Sequence, residues 1–192
     1  MENLFFIHTF RLDVNIGKGY NEHIKHLPDD SVIVITDADT NFLLPDFGKQ
    51  IHDIAETKLD EFGLIGAVVN RVGGLHQCYN GEFSNNHDMR HHTDIARKLQ
   101  DEFYGVVEET TGVAGCFMMF RKSTWQKVGG FKEGTIKADT FFNKAIRIQG
   151  HGKIGLAKGI YLYHCYRIEN TSNSIAKEDN QHLYKVFELG IR

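Results

Sequence analysis

The sequence predicts an α/β domain with a mostly parallel sheet between two helical layers, and three observations carry that expectation. Short apolar runs alternate along the chain with stretches whose apolar residues recur at helical spacing. Two of the runs, SVIVIT and LIGAVV, are apolar at nearly every position rather than at every second one, as strands buried on both faces are. Finally, the first of them ends directly in Asp37 and Asp39, at the carboxyl end of a strand, where open α/β sheets place their ligand sites.

The elements follow in order. NLFFIHTF reads as a first strand, and KGYNEHIKHL as a helix that stops at Pro28, before SVIVIT. A second helix starts near Pro45 and Asp46. Its apolar face is Phe47, Ile51, Ile54, Ala55, Leu59 and Phe62, and Gly63 supplies the stop. LIGAVV is the next strand. From Asn70 to about Thr93 no period is sustained, which marks a variable, partner-facing loop. A helix ending near Tyr104 follows, then the core strand GCFMMF and a short helix in KSTWQKVGGF closed by Gly129 and Gly130. Asp139 opens a helix that turns Phe142, Ala145 and Ile146 to one side and ends at Gly150. KIGLAKGIYLYH reads as two short strands ending at His164. The tail from Ser174 is expected to be helical and to dock through Leu183, Tyr184 and Phe187.

With 192 residues, 41% hydrophobic and 11% aromatic, the chain can bury one sizeable core, so one domain is expected over 1–192. Within it, 1–69 and 112–167 form two site-bearing halves around a variable loop and helix at 70–111, and 168–192 is a C-terminal helix. A net charge of −3 without long runs of one sign disfavours nucleic acid as a partner. No apolar run is long enough for a membrane span, and MENLFFIHTF is too short in its apolar part for a signal peptide, so a cytoplasmic location is expected. Cys78, Cys116 and Cys165 are odd in number and widely spread, which suggests neither a disulfide framework nor a cysteine zinc site.

Side chains two apart on an extended segment point the same way, so Asp37 and Asp39 share a side. Two carboxylates that close repel unless something positive joins them, and a hard divalent cation carrying phosphate oxygens is the usual solution. A turn explains the same residues, since DADTN is rich in turn formers. Upstream, NIGKGYN places glycines beside a helix start, where backbone N–H groups favour an anion.

Taken together with the downstream motifs, this is where the chain resembles the GT-A glycosyltransferases of family 2. In that family a segment similar to NIGKGYN precedes the strand that delivers the DxD pair. TGVAGCFMMFRKSTWQKVGGF resembles the family's glycine loop, acceptor-side strand and Val-Gly-Gly-Phe turn; KADTFFNKAIRIQGHG resembles the helix that carries its catalytic base; GIYLYHCYR resembles the strand ending in its histidine metal ligand. The resemblance spans Asn15 to Arg167 in order. It implies a three-layer α/β/α, Rossmann-like GT-A fold and transfer of a sugar from a nucleotide diphosphate to an acceptor hydroxyl, with inversion. It further implies a Mn²⁺ or Mg²⁺ ion on Asp39 and His164, Asp37 on the ribose or on the metal through water, and Asp139 as general base. Asn15, Gly17, Lys18, Asn21 and Ala38 would lie on the donor side, Gly115 and Trp125 on the acceptor side. The favoured donor is a UDP-sugar, the acceptor a glycan or another hydroxyl compound.

Two departures stand out. Only RLDV separates the first strand from NIGKGYN, where the family has a further helix and strand that hold the nucleotide base, leaving Thr9, Arg11 and Asp13 as replacements. Ala138 stands where the family commonly has Glu. Bland readings exist for several residues: Asp139 as a helix cap, His164 as a hydrogen-bonded strand-end histidine, Trp125 as core packing, and HDMRHH as a solvated loop. Two other functions fit parts of the pattern. VIVITDADT suits a haloacid-dehalogenase-like phosphatase with Asp37 as nucleophile, and Ala138 with the short base-binding region suits a non-catalytic nucleotide-sugar-binding domain.

Overall fold

The computed structural model describes residues 3–9, 11, 13 and 15–166. The expected helix over 168–192, with Leu183, Tyr184 and Phe187, lies outside the described residues.

Among the described residues, seven strands form one open sheet. They are β1 (Leu4–Ile7), β2 (Val32–Thr36), β3 (Thr40–Phe42), β4 (Phe62–Val69), β5 (Val107–Glu109), β6 (Phe117–Arg121) and β7 (Lys153–His164). The order is β1-β2-β6-β4-β7, and both β3 and β5 pair with the outer edge of β7. β1, β2, β4 and β7 run one way, whereas β3, β5 and β6 run against them, so the sheet is mixed. The antiparallel β6 leaves no trace in the pattern: a strand buried on both faces reads the same in either direction.

Helices cover both faces. α1 (Ile16–Ile24), α4 (Lys122–Val128) and α5 (Ala138–Gln149) pack on one, α2 (Phe47–Lys58) on the other, and α3 (Met89–Phe103) lies along β7. Alternation along β2 decides which side each residue serves. Val32 and Val34 join Ile51, Ile54, Ala55 and Leu59 of the α2 side, while Ile33 and Ile35 meet Tyr20, Ile24, Phe142 and Ile146 on the opposite face. These strand residues are fully buried, each contributing roughly 1.5–3 kcal/mol of apolar transfer. Phe47, Ile51, Ile54, Ala55 and Leu59 of the expected face of α2 pack on the side of Val32 and Val34, but the helix ends at Lys58 instead of at Gly63, and Phe62 and Gly63 open β4. Lys122, at the start of α4, reaches under α1, where its ammonium donates to the carbonyls of Lys25 and Leu27.

Besides the unexpected short strands β3 and β5, two further stretches differ from expectation. KIGLAKGIYLYH is one strand, not two. Its register against β4 jumps from Ala67↔Ala157 to Val68↔Tyr161, so Lys158, Gly159 and Ile160 form a bulge rather than a break. Gly159 is required there, since a Cβ would strike Gln50 of α2 and the carbonyl of Phe103. The second difference is HDMRHH. Asp88 accepts the N–H of Arg90 at 2.9 Å and caps α3, which starts at Met89. His92 is fully buried rather than solvated: its Nε2–H donates to the Asn86 carbonyl at 2.8 Å and its Nδ1 accepts from the Tyr161 hydroxyl at 2.7 Å. No helix among the described residues is long and apolar enough to cross a membrane.

Candidate functional site at the carboxyl edge of the sheet

β2, β4 and β7 end at the same edge; β2 and β7 deliver a three-residue cluster of Asp37, Asp39 and His164, and β4 braces it. β2 passes into a turn at Asp37-Ala38-Asp39, in which the N–H and hydroxyl of Thr40 both bond to the Asp37 carbonyl. The turn reading of DADTN is thus correct as local structure. What makes it a site is where the turn is fastened. β3 pairs Thr40 with His164, and the Cys165 N–H donates to the Asp39 carbonyl at 3.0 Å, so both carboxylates are held against the end of β7. β4 contributes Asn70 and Arg71. The Asn70 side chain accepts the His164 N–H at 2.7 Å and donates to its carbonyl at 3.2 Å, locking the strand end.

The His164 ring is buried between these strands, and its Nδ1 lies 2.9 Å from the Arg71 carbonyl. A carbonyl only accepts, so Nδ1 carries a proton and, in the neutral ring, Nε2 presents its lone pair. That lone pair faces Asp39 Oδ1 at 3.3 Å and Asp37 Oδ2 at 3.7 Å. A lone pair opposed to two carboxylates is repulsive unless a proton or a cation lies between them. Ligand atoms around a six-coordinate ion with bonds of 2.0–2.5 Å stand about 3–3.5 Å apart at right angles, and one atom from each of Asp37, Asp39 and His164 lies within 4.8 Å of the others. The donor set of two carboxylate oxygens and an imidazole nitrogen, with its ring N–H bonded to a backbone carbonyl, suits a divalent metal.

The carboxylates are in different surroundings. Burial pushes Asp37 above the ordinary aspartate range, opposed in part by His164. When a proton rather than a metal lies between Nε2 and the carboxylates, the hydrogen bond it makes from His164 holds the more exposed Asp39 below that range. The sign for stability follows from the first: a carboxyl whose folded pKa is raised contributes stability below its unfolded pKa and loses it as pH rises through the folded one. At neutral pH and without metal, ionised Asp37 therefore works against the fold. Asp37→Asn is expected to raise the melting temperature of the metal-free protein and to shrink the further rise that Mn²⁺ produces. A lower metal-free melting temperature would contradict this.

A cleft of about 710 Å³ opens beside the cluster and is lined by Asp37, His164, Gly115 and Asp139, among others. Asp139 stands in the first turn of α5. It is not the cap, which is Lys137, and its side chain instead receives the Gly115 N–H at 3.1 Å and the Thr140 N–H at 2.6 Å. Burial raises its pKa above the aspartate range, and those donors offset part of the rise. Asn143, one turn on, clamps Val113 by donating to its carbonyl and accepting its N–H, both at 2.8 Å. The segment 111–115 is thereby sewn to α5, and Gln77 secures it from the other side by accepting the Ala114 N–H at 2.7 Å. Cys116 lines the same cleft, but burial beside Asp37 and Asp139 drives its thiol well above the usual range, so it is no nucleophile.

Among the other expected residues, most are committed to holding the fold together. Asn15 caps α1 by accepting the Lys18 N–H at 3.3 Å and also takes the Gly134 N–H at 2.9 Å, so that first-turn amide is already used. Gly17 is pressed against the Lys132 carbonyl, and a Cβ there would also meet Ala138. Ala138 itself is 3% exposed and packs beside Gly17, which leaves no room for a larger side chain toward α1. Arg11 forks onto Asp13 with two bonds of 2.8 Å and reaches Glu22 at 2.7 Å, while Thr9 packs on Gly19. Ala38 is exposed at the turn. Asn21 accepts from the Trp125 indole at 3.0 Å and the Phe131 N–H at 2.9 Å, and donates to the Phe131 carbonyl and to Glu133. It ties the Val-Gly-Gly-Phe turn to α1, and Trp125 packs against the core behind it. Asn21→Ala is expected to destabilise the protein by about 2 kcal/mol in urea unfolding, because it strands two donors. Nucleotide affinity of the folded fraction should be unchanged, and a selective loss of that affinity would restore Asn21 to the donor site.

Sequence reasoning overlooked Tyr20, His76, Lys144 and Arg147, which also line the cleft. His76 belongs to a segment without period, where pattern carries no signal. Lys144 and Arg147 could have been found, because with Thr140 they follow the i, i+4, i+7 stripe of the helix that Asp139 opens. No protein-family model matches the chain, and no curated protein matches it.

Proposed function

We propose that the protein is a metal-dependent glycosyltransferase of the GT-A type, moving a sugar from a nucleotide diphosphate, a UDP-sugar in the favoured case, to an acceptor hydroxyl with inversion. The observation that carries this reading is the His164 ring. Its proton is fixed on the Arg71 carbonyl, and its lone pair is aimed at the Asp37 and Asp39 carboxylates beside a cleft that also holds Asp139. Asp39, His164 and Asp37 would hold Mn²⁺ or Mg²⁺, which neutralises charge on a diphosphate leaving group. The half-buried Asp139 would take the acceptor proton as that oxygen bonds to the anomeric carbon and the bond to the phosphate oxygen breaks on the opposite face. Gly115 and Thr140, whose N–H groups hold that carboxylate, keep it oriented.

A thermal-shift panel of UDP-, GDP-, CDP- and dTDP-sugars with and without Mn²⁺ tests the reading, because a ligand that binds only the native state raises its stability. A rise for one nucleotide that requires the metal supports it and gives the donor class. No nucleotide response, with Mg²⁺-dependent hydrolysis of a phosphate ester that needs Asp37, would overturn it in favour of an aspartyl-phosphate enzyme. A metal-dependent rise without turnover on any donor would make the chain a binding domain.

A further inference from the structure

We infer that the acceptor is an anionic saccharide, whose carboxylate or phosphate group is held by Lys144 and Arg147 on the wall of the cleft that Asp139 opens. This rests on the glycosyltransferase reading and adds to it the charge of the second substrate. Both cations line the cleft and are exposed to it. Among the described residues, neither forms an ion pair with a carboxylate; the one bond of the Arg147 guanidinium is to the neutral Thr111 carbonyl, at 2.9 Å. Other surface cations, Lys58 and Lys98 among them, also form no ion pair with a carboxylate among the described residues, so what distinguishes Lys144 and Arg147 is their shared place on the cleft wall one turn apart on α5. The Thr111 bond fixes one edge of the guanidinium and leaves the remaining donors of a planar fork for an anion.

Position assigns these cations to the acceptor rather than to the donor. At 1.5 Å per residue, Lys144 and Arg147 lie about 7.5 and 12 Å along α5 from Asp139, the general base in this reading. Thr110, the neighbour of the Arg147 anchor, bonds to the Ile154 carbonyl near the start of β7, whereas His164 is the last residue of that strand. The metal cluster and the free cations therefore belong to opposite ends of the cleft, with Asp139 reached from both. Diphosphate placed at the carboxylates leaves the cationic end for the portion of an acceptor chain that extends beyond the attacked hydroxyl.

Isothermal titration calorimetry of the full chain in UDP and Mn²⁺ tests the inference. The probes are a hyaluronan tetrasaccharide for the carboxylate, mannose 6-phosphate for the phosphate, and the carboxyl-reduced tetrasaccharide as the uncharged control. One charged probe is expected to bind, to weaken as salt is raised, and to lose roughly 10- to 100-fold in affinity in K144Q/R147Q, with UDP binding unchanged. Which of the two binds identifies the anion. Equal affinity for the charged and uncharged tetrasaccharides, no binding of either charged probe, or loss of UDP binding in the double variant would overturn it. Binding of a charged probe that needs Lys144 and Arg147, in a protein that shows no response to UDP and Mn²⁺, would instead remove the glycosyltransferase reading and leave an anion-binding cleft.

Discussion

Asp139→Asn is expected to lower glycosyl transfer about 10²- to 10⁴-fold, the usual cost of removing a general base, while leaving metal-dependent nucleotide binding intact. The separation is expected because Asp139 stands on α5, whereas the metal cluster stands at the ends of β2 and β7. A pH profile supplies a second readout. Burial lifts the Asp139 carboxyl above the ordinary aspartate range, so its proton-accepting form is lost at a higher pH than in an exposed aspartate. Transfer should fall as pH drops through that raised value. In the asparagine variant the residual rate should lack this limb. Wild-type-like transfer by Asp139→Asn would end the assignment of a base at this position.

The second large effect concerns His164. Partners outside the coordination shell typically cost 10–100-fold in metal affinity when removed, and direct ligands cost more. His164→Ala and Asp39→Ala are both expected to lose metal-dependent donor binding by more than about 100-fold in calorimetry. His164 carries an added burden, since it is 3% exposed and its ring fills space among the strand ends. His164→Gln, which keeps a polar side chain of similar length, separates a folding defect from a binding one. It should fold and still bind metal poorly. Full metal affinity in a folded Asp39→Ala variant would contradict the cluster.

The sequence carried the layers of this fold better than its directions. The apolar runs of β2 and β4 and the amphipathic face of α2 are visible in the residues because both-face burial and helical spacing leave a periodic record. The antiparallel direction of β6 and the bulge at Lys158-Gly159-Ile160 leave none, because pairing is decided by neighbours distant in the chain. The candidate site shows the same division. Asp37, Asp39, Asp139 and His164 could be singled out by spacing and resemblance, and the fold brings them to one edge of the sheet. Asn21 and Asn15 look alike in sequence to donor-binding residues, yet they serve as a bracket and a cap, because an amide side chain satisfies backbone groups as readily as ligand ones. The fixing of the His164 tautomer by Arg71 was not legible at all, since it depends on a main-chain carbonyl and not on the identity of the residue that bears it. Lys144 and Arg147 were legible only conditionally, once Asp139 had been chosen and the helix wound from it.

The most direct test of the central claim is an electron paramagnetic resonance titration of the protein with Mn²⁺, repeated in the presence of UDP. The expected result is one bound ion per chain, held more tightly with UDP and lost in Asp39→Ala. A chain that binds no Mn²⁺, or binds it equally well with Asp39 replaced and UDP absent, would contradict the account.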